Sequence, residues 1–125
     1  MLWNYFAVAV GGIFGCMARY GMTQLTQMVY GNRFPLATLS INVLGCFLMG
    51  FLFFETVDRV TISPALRAGI LTGVLGGFTT FSTFSMETLL LIEDGETRTA
   101  IWYLSSSIVL GLLAAGVGAY IARRL

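Results

Sequence analysis

The sequence predicts an all-α membrane protein of four transmembrane helices, the third broken near the bilayer midplane. Three observations carry that expectation. The 125 residues are 57% hydrophobic and only 10% charged, with a mean hydropathy of +0.84, whereas a soluble domain carries roughly 25% charged residues. The apolar residues gather into four blocks, about 2–29, 36–54, 62–92 and 101–122, each reaching the roughly 20 residues that span hydrocarbon. The third block is too long for one straight crossing and has polar punctuation at its centre. A single domain, 1–125, is expected.

The first span, about 2–29, lacks a basic leader and a small-residue cleavage site, so it reads as a membrane helix and not a signal peptide. Ala7, Gly11 and Gly15 recur every four residues along one face, where another backbone can approach closely. The span ends in the polar Thr23-Gln24-Leu25-Thr26-Gln27, an interfacial turn of helix. Tyr30 to Pro35 carries turn chemistry, and Pro35 suits a helix start. The second span runs over about 36–54 and leaves through the charged stretch 55–61. Ser63-Pro64 then reads as an N-cap followed by a first-turn proline.

From Ser63 to Ile92 the chain has 30 residues, about 45 Å of straight helix against a hydrocarbon core about 30 Å thick. Tilt absorbs part of such an excess; a central break absorbs it too. The run Gly76-Gly77-Phe78-Thr79-Thr80-Phe81-Ser82-Thr83-Phe84-Ser85 supplies the break, because paired glycines weaken a helix. Half-helices over about 63–75 and 81–92 follow, joined by an unwound stretch at 76–80. Gly69, Gly73 and Gly77 place a second small-residue stripe on the first half. The acidic turn Glu93-Asp94-Gly95-Glu96 leads to the last span, about 99–122, anchored by Arg123 and Arg124.

All seven basic residues are arginine. With four spans, Arg59, Arg67, Arg123 and Arg124 fall on one side and Arg33 and Arg98 on the other. So weak a bias sets no firm orientation. It permits insertion both ways and hence an antiparallel, dual-topology homodimer. The lipid bilayer is the expected surrounding, and no nucleic-acid partner is expected at a net charge of +1.

Histidine is absent and Cys16 and Cys46 stand alone, which excludes histidine catalysis and most zinc sites and disfavours a membrane oxidoreductase. The protein is expected not to be an enzyme. What remains is the break itself. A helix end presents free carbonyls and the next helix start presents free amides, and broken membrane helices use them for cations and anions. A kink repaired by Ser and Thr side chains is the plainer alternative. One chain offers a hard cation too few carbonyls; two chains about a twofold axis would double them.

Phe78, Phe81 and Phe84 lie three apart on one helical face. They either meet lipid and packing partners or aim positive ring edges at a small anion. Thr80, Ser82, Thr83 and Ser85 donate hydroxyls or bond back to the helix. Asn42, about 9 Å into the membrane, is interhelical glue or an anion donor, and Thr38 lies one turn earlier on its face. Tyr103 and Ser107 add donors at i, i+4. Such a neutral lining suits an anion that must enter and leave quickly. Arg19 either snorkels to the interface or lends positive potential to an aqueous vestibule. Glu87 pairs, sits in a wet cavity or is protonated.

These residues resemble those of the bacterial fluoride channels, the Fluc or CrcB family. The resemblance spans the chain through Gly11-Gly12-x-x-Gly15-x-x-x-Arg19-Tyr20, Pro35-x-x-Thr38-Leu39-x-x-Asn42-x-x-Gly45 and, most specifically, Gly73-x-x-Gly76-Gly77-Phe78-Thr79-Thr80-Phe81-Ser82-Thr83-Phe84-Ser85-x-Glu87. Ala37 departs from it, standing where the family commonly has glycine. The resemblance implies a multi-pass protein of the bacterial inner membrane that lowers cytoplasmic fluoride by passive flow. It implies a dual-topology homodimer with two fluoride pathways and a central structural sodium ion held by backbone carbonyls of Gly76 and Thr79. It further assigns Phe81, Phe84 and Asn42 to the pore, Arg19 to the vestibule, and Tyr103 and Ser107 to a polar track.

Two other classes compete. A small proton-coupled multidrug exporter would need a titrating membrane carboxylate, for which Glu87 is the candidate. A non-conducting assembly subunit would use the glycine stripes alone.

Overall fold

A computed structural model describes residues 1–125, and every regular element in it is helical. Helix α1 spans Leu2–Tyr30 and stops at Gly31, whose φ of 76° is a left-handed value that glycine adopts freely. After a short loop, α2 covers Leu36–Asp58. Ser63 accepts a hydrogen bond from the Leu66 N–H at 3.1 Å and Pro64 occupies the first turn, so α3 begins as an N-cap and first-turn proline dictate. It extends over 64–78, is interrupted at Thr79 and Thr80, and is followed by α4, Phe81–Glu93. A turn with Gly95 at φ 81° leads to α5, Thr97–Arg124.

Three helices, α1, α2 and α5, are long and apolar enough to cross a bilayer. The halves α3 and α4 are shorter: the thirteen residues of α4 make about 20 Å of helix, short of the roughly 30 Å of hydrocarbon.

The helix around the break departs from the sequence expectation. The paired glycines predict unwinding over 76–80, yet Gly76–Phe78 stay helical. Only Thr79 (ψ 159°) and Thr80 (φ −152°, ψ 118°) are extended. Threonine is β-branched and takes extended backbone readily. Gly77 is instead held in the helix by contact with α1: a Cβ on it would meet the Gly12 carbonyl at 3.1 Å and the Cys16 thiol at 3.3 Å. A second departure is the π-wound stretch Gly69–Leu75. Helix α2 also continues through the charged residues to Asp58, and α5 starts at Thr97. Glu55 and Arg59 pair across one turn at 3.6 Å, and the Thr56 hydroxyl donates to the Leu52 carbonyl at 2.7 Å. Those bonds carry α2 beyond its apolar block.

Small residues set how closely the helices approach. A Cβ on Gly11 would sit on the Gly69 carbonyl, and one on Gly15 on the Val74 carbonyl, so α1 and α3 meet backbone to backbone. The same holds between α2 and α5, where Gly50 faces the Ala115 carbonyl and Gly118 the Phe47 carbonyl. Only 18 of 125 residues are buried, so most of the apolar surface, Trp3, Phe14 and Leu112 included, faces outward. An apolar exterior of that extent belongs in lipid or against another subunit.

Candidate functional site

The two extended residues between α3 and α4 break the hydrogen-bond ladder, and side chains from two other helices repair part of it. Asn42, on α2, grips the Thr80 main chain with both ends of its amide: Nδ2 donates to the Thr80 carbonyl at 2.9 Å, and Oδ1 accepts from the Thr80 N–H at 2.8 Å. In a continuous helix that N–H would have gone to the Gly76 carbonyl four residues back. From α1, Arg19 Nε donates to the Gly77 carbonyl at 3.1 Å. A cation there also complements the negative end of the α3 dipole. The Thr79 hydroxyl returns to the Leu75 carbonyl at 3.0 Å. No turn or cap bond ends on the carbonyls of Gly76 or Thr79.

The start of α4 is a hydroxyl cluster. Thr80 Oγ1 caps the helix by accepting from the Thr83 N–H at 3.2 Å, donates to Thr83 Oγ1 at 3.0 Å and lies 3.4 Å from Ser82 Oγ. Cavities open on two sides of it. One, about 450 Å³, is lined by Arg19, Thr38, Thr80, Thr83 and Glu87 among others. It lies between α1, α2 and α4. The other, about 350 Å³, is bordered by Asn42, Cys46, Thr79, Phe81, Phe84 and Ser107. Ser107 Oγ is buried without a hydrogen-bond partner, a donor left free at this wall.

Aromatic rings continue from the break toward one end of the molecule. Phe81 and Phe84 stand 5.8 Å apart, centroid to centroid, and tilted by 53°. Phe84 then meets Tyr103 edge to face at 5.1 Å, with both rings enclosed. Phe81, in contrast, is 79% exposed. The Tyr103 hydroxyl donates to Glu87 Oε1 at 3.3 Å, tying α5 to α4.

The structure thus gathers nearly every residue singled out from sequence around one break. Asn42 reaches the Thr80 main chain across helices, as interhelical glue would, and keeps one amide hydrogen spare. Arg19 reaches inward to Gly77 while bordering the cavity between α1, α2 and α4. Thr38 is buried beside it. The partners of Arg19 and Glu87 are not readable from sequence, since they lie 58 and 16 residues away. No group of three or more His, Cys, Asp or Glu side chains converges here; the oxygens at the break are main-chain carbonyls, hydroxyls and the Asn42 amide.

Long apolar helices around an interrupted, hydroxyl-lined element define a multi-pass helical membrane protein. Comparison with known proteins narrows this: the chain belongs to the CrcB family, whose description, CrcB-like protein, Camphor Resistance (CrcB), matches residues 6–119. A protein of Acidithiobacillus ferrooxidans named fluoride-specific ion channel FluC is 56% identical over 115 residues, which is 92% of each chain. Fluoride-specific ion channel FluC 1 of Moorella thermoacetica is 43% identical over 119 residues, 95% of this chain and 85% of its own length. The Stutzerimonas stutzeri FluC is 42% identical over 118 residues, 94% of this chain and 95% of its own.

Proposed function

We propose that this chain is the subunit of a passive, fluoride-selective channel in a bacterial inner membrane, letting cytoplasmic fluoride leave down its electrochemical gradient. The observation that carries this reading is the two-point grip of Asn42 on the Thr80 main chain, which keeps the helix open and collects neutral donors around the opening. Helices α3 and α4 together make the fourth crossing. The names of the relatives support fluoride as the ion.

A small anion is costly to strip of water, so the path must return the hydrogen bonds it loses. Arg19 draws anions to the vestibule. There the hydroxyls of Thr38 and Thr83 replace water, Ser82 adds its hydroxyl beside Thr80, and the spare Asn42 amide hydrogen takes the ion onward. The edges of Phe81 and Phe84 carry partial positive charge and hold it weakly, while on α5 Ser107 offers a free hydroxyl and Tyr103 continues the track with its ring, its own hydroxyl proton being given to Glu87. A lining of neutral donors binds enough to admit the ion and too little to trap it.

The functional unit is an antiparallel homodimer with two pathways. Three features support it: the outward apolar surface, the exposed Phe81 ring and the weak arginine bias. The carbonyls of Gly76 and Thr79 suit a structural sodium ion, because the backbone that would have satisfied Gly76 is diverted to Asn42. Paired across the dimer axis, they would give a hard cation enough oxygen ligands. A bound sodium ion would supply positive charge and cross-link the two breaks.

Fluoride efflux from liposomes holding the purified protein, followed with an ion electrode, tests the reading. Efflux well above empty vesicles, with chloride left behind, is expected; fluoride efflux equal to the blank rejects it.

A further inference from the structure

The ring series does not stop at Tyr103. Phe34, in the loop before α2, packs on Tyr103 at 5.6 Å with an interplanar angle of 84°, so rings at Phe81, Phe84, Tyr103 and Phe34 form an unbroken line of contacts. The loop holds Phe34 firmly. Pro35 has φ −74° and ψ 60°, and the Leu36 N–H donates to the Phe34 carbonyl at 2.7 Å, which together make an inverse γ-turn. Proline fixes the turn by its ring.

Phe34 also borders a cavity of about 800 Å³, with Arg33, Glu87, Asp94, Glu96 and Thr99 among its walls. Tyr103 is fully enclosed. Of the four rings, Phe34 is therefore the one that both touches the series and faces this mouth. The mouth holds three carboxylates and one guanidinium, so its fixed charge repels anions. A ring edge offers partial positive charge without pairing to those carboxylates.

We infer that Phe34 is a further lining residue of the anion path, the ring that fluoride meets between the acidic mouth and Tyr103. This rests on the fluoride-channel reading. In the liposome assay, Phe34→Leu keeps an apolar side chain but loses the ring, and fluoride efflux falls roughly tenfold, the size of one edge-to-face aromatic pair. Phe34→Tyr keeps the ring and stays within about twofold of the unaltered protein. Replacing the ring by pentafluorophenyl keeps its shape and reverses its quadrupole; efflux falls again although the dimer melts at the same temperature. Unaltered flux in the leucine or pentafluorophenyl protein, or an equal loss in the tyrosine variant, overturns the inference and leaves the channel reading standing. If the leucine variant fails to assemble, the pentafluorophenyl protein decides. An unaltered protein that passes no fluoride sinks both.

Discussion

The α2–α5 seam and the approach to the α3–α4 break both carry glycine, but the seam depends on it whereas the break itself opens at Thr79 and Thr80. At the seam, Gly50 and Gly118 are bare because a neighbouring carbonyl occupies the place of a side chain. There the backbones touch. At the break, Gly76 has nothing nearer than the Leu71 carbonyl, 3.9 Å from where a Cβ would be. Nothing within this chain demands a glycine there. The first region is explained by its own contacts; Gly76 is not, and the proposed sodium ion or second subunit would give it a reason.

Four changes test that contrast. Gly118→Val has the largest effect, since its Cβ would land on the Phe47 carbonyl. Overpacking costs typically 1–3 kcal/mol even where neighbours yield, and backbone yields less, so folded protein recovered by size-exclusion chromatography should be lost. Asn42→Asp comes second. It removes the donor to the Thr80 carbonyl, and a buried polar group left unpaired costs about 1–3 kcal/mol. Fluoride efflux should fall about a hundredfold at the upper end of that range, while the α2–α5 seam keeps the protein folded. Phe81→Ile or Phe84→Ile should slow efflux about tenfold with the dimer still assembled, again by the worth of an aromatic contact. Wild-type flux in either variant removes that ring from the path. Gly76→Ala is the mildest. The chain has room for the methyl, so folding should change by less than about 1 kcal/mol, but the rise of melting temperature with added sodium should shrink. A Gly76→Ala protein that responds to sodium as before would show that the position need not be bare for the ion to bind.

How much of this is legible in the sequence depends on range. The three long helices follow from runs of apolar residues, which act locally. The break also announces itself, through paired glycines and threonines with no apolar replacement. Its extent does not. The glycines and threonines predict a longer unwound stretch than Thr79 and Thr80 alone, because Asn42 captures the Thr80 N–H from another helix while α1 supports Gly77. Likewise the last turn of α2 is charged, and charge at a helix end reads as an exit into solvent. Thr56 reverses that expectation: it bonds back to Leu52 and accepts from Arg67 Nε at 3.1 Å. Arg67 also lies over the Phe53 ring at 4.8 Å. Phe34 reads only as part of a turn, since nothing local says that its ring meets a tyrosine far along the chain.

The π-wound stretch Gly69–Leu75 carries a mechanical corollary. Each such turn stores an additional residue compared with an ordinary helix, and one residue is about 100° of rotation. Deleting a single residue from this stretch would let it relax to the common winding. Thr79 and Thr80 would then swing by roughly that angle, off the Asn42 amide and away from their hydroxyl neighbours. The segment works as a phase adjuster, clocking the interruption to face its partners.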